Sequence, residues 1–151
     1  MALFSTGLRI GMLVTSPFDT LMNDARLKIY KGATIPATAD AVLPGDATMM
    51  YEFTVDNDGT TDLTFATTAP NGVIQKASAE AWQGICQSAG DMAFFRIYVP
   101  SDTGESASTT APRVQGTVGT AFADLIVADI TKVLSDPLTL DYFAIAIPVS
   151  S

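Results

Sequence analysis

The chain has 151 residues, of which 48% are hydrophobic and only 16% are charged. This length is typical of a single domain that can bury a core without disulfides or metals. The formal net charge is −8, from 8 basic and 16 acidic side chains. Because nucleic acids and anionic membranes are bound through clustered basic side chains, we expect neither as a partner. The low charge indicates a surface that is partly covered in an assembly or rich in small neutral residues.

Histidine is absent, and cysteine occurs once, at Cys86. These absences remove the commonest general base and metal ligand, exclude a Cys–His nucleophile and exclude an internal disulfide. The sequence has no glycine-rich phosphate-binding motif and no serine-nucleophile motif. We therefore predict no catalytic residues, no cofactor-binding residues and no metal ligands, and we expect that the chain is not an enzyme.

Residues 1–25 are predicted to form an N-terminal helix or arm. Apolar residues recur at roughly helical spacing, Ser5 or Thr6 can cap the helix, and Pro17 ends it. The apolar run is too short and too interrupted for a membrane span or a clear signal peptide. Such a segment either packs on its own sheet or is exchanged with a neighbouring subunit, and the sequence leaves both alternatives open.

Residues 26–151 are predicted to form an all-β, mainly antiparallel domain. About eight short segments of alternating polarity, separated by turns rich in glycine, proline and aspartate, are typical of a β-sandwich or jelly roll. No strand–helix–strand alternation is present, which disfavours a parallel sheet. The predicted strands are 26–30, 49–55, 63–66, 73–74, the segment around Trp82, 92–99, 113–118, 125–130 and 138–147.

The segment 79–99 is predicted to be a β-hairpin in the middle of the sheet, with its turn at 87–90. Its second arm alternates aromatic and β-branched residues, and its first arm carries the only tryptophan, Trp82. We expect most of the core to form around this hairpin. Arg96 is expected to stack on Tyr98 or to pair with Asp141 across strands.

Three patterns are possible sites, but a structural role is favoured for each. The run from Asp56 to Asp62 begins like a calcium loop but lacks the glycine and glutamate that an EF-hand requires, so it is predicted to be a turn. Glu80 beside Trp82 resembles a sugar-binding pair, although a tryptophan in a β-core usually serves packing. The third pattern is a set of carboxylates that could meet across a cleft, as in glycosidases: Glu52, Glu80, Glu105 and Asp141.

Several motifs occur in an order that resembles small bacteriophage virion proteins. In chain order they read LKIYKG, IPATADA, LTFA, GVIQK, AWQG, FFRIY, RVQGTVG and ADL. The chain is most similar to the head cement, or decoration, proteins of tailed phages, which have jelly-roll-like β folds. The resemblance covers most of the chain from Leu27 onward and brings no catalytic motif with it.

The resemblance implies a structural virion protein that binds the outside of the assembled capsid and stabilises it. Its expected partners are the major capsid protein and further copies of itself, as a dimer or trimer. Its expected location is the capsid surface, after synthesis in the host cytoplasm. The alternatives are a phage tail, baseplate or neck component and a small carbohydrate-binding β-domain. We expect the contact surfaces in the N-terminal arm, the loop after Gly32 and the exposed, mobile loop after Pro100.

Overall fold

The computed structural model describes residues 1–147, and residues 148–151 of the predicted β-domain lie outside this description. The described chain is mostly antiparallel β-sheet with a short helical segment near its N-terminus, which confirms the predicted all-β class. The helices are α1 (Thr6–Val14) and α2 (Phe18–Leu21). The strands are β1 (Leu3–Phe4), β2 (Arg26–Lys31), β3 (Thr48–Val55), β4 (Val73–Gln75), β5 (Trp82–Ile85), β6 (Gly90–Asp91), β7 (Phe94–Tyr98), β8 (Arg113–Gly119), β9 (Leu125–Ile126), β10 (Thr131–Lys132), β11 (Pro137–Leu140) and β12 (Ala144–Ala146).

Eight of these strands form the main sheet, in the order β1-β8-β7-β2-β3-β5-β11, with β9 parallel to the end of β8. Two small sheets pair β4 with β12 and β6 with β10. The described strands outnumber the predicted ones because several span only two or three residues, too few for a period to be recognised. The predicted strand 138–147 is divided between β11 and β12, which belong to different sheets.

The predicted hairpin over 79–99 is wrong, although both of its arms are strands. Between β7 and β5 the sheet inserts β2 and β3. The hydrogen-bonding edges of β5 are taken by β3, where Gln83 lies opposite Thr54, and by β11, where Gly84 lies opposite Leu138. The turn residues after β5 therefore begin a long connection instead of a tight turn.

The two faces of the main sheet differ in chemistry because the register keeps like residues opposite each other. On one face, Leu27 of β2 lies opposite Ile97 of β7 and Phe53 of β3. On the other face, Lys28 lies opposite Arg96. The first face forms the hydrophobic core, while the second carries buried polar groups and is covered by loops.

A row of aromatic rings joins the N-terminal segment to the centre of the sheet. Neighbouring ring centroids are 5.1 to 5.9 Å apart. Leu8 of α1 is also fully buried in this core. The N-terminal segment thus packs on its own sheet here, the first of the two alternatives. The row contains Phe4, Phe18, Phe65, Trp82, Phe143 and Phe95.

Candidate functional site

Three segments expected to make contacts meet on one side of the molecule: α1, the loop 32–47 and the loop 100–112. We call them together the composite surface. Asp40 of the first loop accepts a hydrogen bond from the backbone N–H of Thr6 at 2.9 Å and from the Thr6 hydroxyl at 2.7 Å. The first turn of α1 is thereby bound to a loop that lies 34 residues further along the chain.

The second loop is bound to both other segments. Ser5, one of the two predicted caps, is the N-cap of α1, and its hydroxyl accepts from the Leu8 N–H while donating to the Ala111 carbonyl at 2.8 Å. The Leu43 N–H donates to the carbonyl of Glu105 at 2.8 Å, which joins the two loops directly. Separate stretches of sequence therefore form one continuous surface.

Two buried arginines fasten the loops to the polar face of the sheet. Arg96 on β7 and Arg113 on β8 are both fully buried. Arg96 donates to the carbonyls of Ala41 at 3.0 Å and Gly104 at 2.7 Å, one in each loop. Arg113 donates to the Ser106 carbonyl at 2.8 Å. Of the six hydrogen bonds that these arginines donate to the two loops, four go to backbone carbonyls and two to Asp102, and the side chains of loop 100–112 remain largely exposed.

Two side chains accept hydrogen bonds from the arginines: the carboxylate of Asp102 and the amide of Gln115. Asp102 accepts two hydrogen bonds from Arg113, at 2.6 and 2.8 Å, in a bidentate pair. Burial alone would raise the pKa of Asp102, but the hydrogen bonds from Arg113 and the backbone lower it overall. Gln115 accepts from Arg96 and donates to the Pro36 carbonyl at 2.7 Å. Burial, followed by the nearby charge of Arg113, lowers the pKa of Arg96 to about 10, so this guanidinium is charged at neutral pH.

The expected partners of Arg96 are therefore wrong. Its guanidinium neither stacks on Tyr98 nor pairs with Asp141, because its hydrogen bonds go to Gln115 and to the carbonyls of the two loops. The cation over the Tyr98 ring is Lys28, whose Nζ lies 5.0 Å from the ring centroid.

An apolar groove runs beside α1, where the helix faces loop 32–47. Its volume is about 750 Å³, and Leu3, Phe4, Met12, Leu13 and Ile147 are among its lining residues. We call this 750 Å³ groove the N-terminal groove. A smaller depression, which shares Phe4, Met12 and Ile147 with it, continues the groove toward Phe18. Such a shape suits an apolar side chain from another molecule.

The four candidate carboxylates do not converge. Glu52 and Glu105 line one polar cleft, but each is neutralised: Glu52 by Arg26 at 3.1 Å and Glu105 by Lys28 at 3.1 Å. Glu80 lies elsewhere, where it accepts hydrogen bonds from Thr64 and the Trp82 indole. Asp141 is exposed after β11. The two carboxyls that share a cleft are therefore both ion-paired, and the other two candidates lie outside that cleft.

The remaining candidate residues have structural roles. Trp82 is fully buried, so its indole has no face free to stack on a sugar. Cys86 is buried, as predicted for an apolar-like thiol, and contacts the Ser88 carbonyl. Asp58 accepts hydrogen bonds from Thr61 and Thr60, which lower its pKa to about 2 and close the predicted turn. Within residues 1–147, no group of histidine, cysteine, aspartate and glutamate is arranged to hold a metal ion.

Phe122 is a surface feature that sequence reasoning missed. It lies between β8 and β9, is fully exposed and has φ of +54°. A bulky residue in the left-handed region is a conformational outlier. The only signal in the sequence is an aromatic residue within a stretch of small residues, Gly119 to Ala123, which periodicity does not flag.

No protein-family model matches this chain, and neither a curated protein nor a solved structure matches it. Among residues 1–147, every helix is too short or too polar to cross a bilayer. The features of this chain that bear on function are the composite surface, the groove beside it and the order of the sequence motifs.

Proposed function

We propose that this chain is a structural protein of a tailed-phage virion that binds the outside of the assembled capsid as a cement or decoration protein. One observation carries the proposal: three large apolar side chains that are neighbours on one face of α1 are exposed to solvent, and the loop 32–47 exposes two more. Exposed apolar groups that lie together mark interaction sites on proteins. The group consists of Ile10, Leu13, Val14, Ile35 and Val42, each between 42% and 83% exposed.

The order of the sequence motifs supports a capsid protein as the partner. It resembles that of virion proteins, and the major capsid protein is the partner such a protein binds. The net charge of −8 favours the outer side of the shell, because the inner side faces a polyanionic genome.

A rigid contact surface suits this task. Arg96 and Arg113 hold the loop backbones in place before any partner arrives, which lowers the ordering cost of binding. A cement protein stabilises a shell by binding the assembled lattice and not its free subunits, so its binding free energy adds to shell stability. Repetition over the lattice adds avidity when copies are joined to each other.

The experiment uses particles assembled without this chain and the purified chain added back. We expect cosedimentation that saturates at a copy number comparable with that of the major capsid protein. We also expect the loaded particles to release their genome at a higher temperature. Saturation at a few copies per particle, or imaging that finds the chain only on the tail or neck, would overturn the proposal.

Three valines provide matched variants. Val14 and Val42 lie on the composite surface, at 77% and 59% exposed, whereas Val133 lies outside it at 61%. Val14→Asp and Val42→Asp should each weaken particle binding by about tenfold or more, since each places a charge in an apolar contact. Val133→Asp should bind like the wild type. Equal binding by all three variants would contradict the assignment of this surface.

A further inference from the structure

The strand β11 leaves one edge of the main sheet open. It is the last strand in the sheet order, and within residues 1–147 it pairs only with β5. The Cys86 N–H donates to the Asp136 carbonyl at 2.9 Å, in the same register as the rest of this strand pair. Hydrogen-bonded positions alternate along an antiparallel pair. Leu138 and Leu140 therefore bond to β5, while the N–H and C=O of Thr139 point away from it.

Hydrogen bonding on the other side of β5 agrees with this assignment. The Gln87 N–H, two residues beyond β5, donates to the Met50 carbonyl at 2.7 Å, in register with the pairing of β5 and β3. The odd-numbered residues of β5 therefore bond to β3, and its even-numbered residues bond to β11. Thr139 lies opposite the odd-numbered Gln83 and is exposed. Its backbone N–H and C=O have no partner within residues 1–147.

An open strand edge binds a further extended strand unless it is protected. Natural sheets usually protect such edges with charged side chains. The strands β5 and β11 are each four residues long, and neither carries a charged side chain. Pro137, the first residue of β11, lacks an N–H and limits pairing at that end only. The edge around Thr139 is therefore free to pair.

The sequence of this edge is symmetric about Thr139, because a leucine lies on each side of it. Antiparallel pairing of two copies about a two-fold axis at Thr139 places Thr139 opposite Thr139, and Leu138 opposite Leu140. Leu140 is buried in the core and Leu138 packs half-buried against it, so the pairing extends the apolar core across the junction. The two threonines face each other on the opposite side of the sheet, where such pairs are favourable. This symmetry favours a second copy over an unrelated strand.

The nearest charged side chains lie just beyond the two ends of β11. Asp136 precedes the strand, and Asp141 follows it. The two Asp141 side chains of a dimer are four residues apart along the strands, about 14 Å, which exceeds the Debye length of about 8 Å at physiological salt. Each Asp141 comes closer to Asp136 of the other copy, and this repulsion opposes pairing. The measurements below are therefore made in about 0.5 M sodium chloride, which screens it.

We propose that a second copy of this chain extends the main sheet at β11, with the two β11 strands antiparallel about a two-fold axis at Thr139. This pairing uses the open edge of both copies and closes a dimer instead of starting a filament. The composite surface is fastened to β7 and β8, towards the other end of the sheet order, and stays free in both copies. The inference goes beyond the proposed function and is tested on the purified chain alone. Its failure is therefore distinguishable from a failure to bind particles.

Thr139→Pro is the first test, because it removes the outward N–H and no hydrogen bond within the described chain. The variant should stay folded, since proline is tolerated where the N–H of an edge strand faces solvent. Analytical ultracentrifugation should show a wild-type dimer and a dissociation constant about 30-fold or more higher for the variant, because two hydrogen bonds are lost. Thr139→Ser keeps the N–H and the hydroxyl and should dimerise like the wild type. A monomeric wild type, or a Thr139→Pro variant that dimerises normally, would overturn the proposal.

Amide hydrogen exchange tests the pairing in the wild type without any substitution. The Leu138 N–H bonds to β5 and should exchange slowly in monomer and dimer alike. The Thr139 amide should exchange slowly only in the dimer and become at least about tenfold faster on dilution to the monomer. A Thr139 amide that exchanges freely in the dimer would place the interface elsewhere and overturn the proposal.

A cysteine at the axis tests whether the occupant is a second copy. Hydrogen-bonded residues opposite each other have Cα atoms about 5.5 Å apart, within the range of roughly 4.4–6.8 Å that a disulfide spans. Thr139→Cys should therefore form a disulfide-linked dimer under mild oxidation, whereas Cys86 is buried and should not react. Thr120→Cys, at an exposed position after β8, should stay monomeric on a denaturing gel. Linkage of both variants alike, or of neither, would contradict an axis at Thr139.

Discussion

The bidentate pair between Asp102 and Arg113 should be the main electrostatic support of the composite surface, and Asp102→Asn tests it. In the wild type the Arg113 guanidinium is fully buried and donates to both Asp102 oxygens, at 2.6 and 2.8 Å. The amide of asparagine can accept from Arg113 through one oxygen and carries no charge. The variant therefore loses one strong hydrogen bond and leaves a buried cation without a counterion.

Breaking a buried ion pair on one side typically costs 3–5 kcal/mol. The Asp102 side chain retains 13% exposure, so water can reach its outer edge, and we expect a loss near the lower end, about 3 kcal/mol. For a chain of this size that corresponds to a fall in melting temperature of about 6–12 °C. Urea denaturation at neutral pH gives the free energy directly, provided the slope is unchanged.

Glu105→Gln is the matched control, because it makes the same carboxylate-to-amide change in the same loop. Glu105 pairs with Lys28 at 3.1 Å, but its side chain is 53% exposed, so the change should cost less than about 1 kcal/mol. If the two variants unfold at the same urea concentration, the buried pair does not support the loop. The composite surface is then not preorganised by this pair.

The same variant has a signature in acid. Because the pKa of Asp102 is lowered in the folded state, the stability it contributes is present above the unfolded value near pH 3.9. That stability is lost as the pH falls through the lower folded value. Asp102→Asn should therefore lose less stability than the wild type as the pH falls below about 4. Parallel acid-unfolding curves for the two proteins would contradict this assignment.

The remaining predictions concern packing. Leu8→Ala should destabilise the chain by about 2–5 kcal/mol in urea denaturation, because Leu8 is fully buried; a loss below about 1 kcal/mol would show that α1 docks only loosely. Gly116→Ala should cost about 1–3 kcal/mol, because a new Cβ would lie 2.7 Å from the Phe95 ring. Gly45→Ala, with nothing within 4 Å, should be neutral or slightly stabilising in the same assay; equal losses for both glycines would refute the close approach.

Local strand formation follows from the sequence, but pairing does not. The observed β2, β3, β7 and β8 lie within two residues of their predicted bounds, because each combines alternation with β-branched or aromatic residues. The hairpin prediction failed because turn residues between two strands do not require those strands to be neighbours. That choice depends on how β3 and β11 occupy the edges of β5, which are contacts between residues distant in sequence.

For the candidate site, too, the sequence indicates the separate segments but not how they come together. The N-terminal segment and both loops could be selected from composition, since none of the three is suited to a strand. Their assembly into one surface depends on Arg96 and Arg113, which the sequence shows only as charged residues on strands. Periodicity places such a residue on one face of a sheet, but it does not say which carbonyls will lie against it.

The use of arginine at these positions has a physical reason. The loop 100–112 has no large apolar side chain, so hydrophobic burial cannot hold it against the sheet. Its backbone carbonyls are available at every residue, and the five donors of a guanidinium can bind several of them at fixed angles. Because Asp102 is the one side chain of this loop that binds these arginines and the other acceptors are backbone carbonyls, most loop side chains remain free to face outward. Stability and recognition then depend on different atoms of the same loop, so a surface built this way can change its outward residues while keeping its shape.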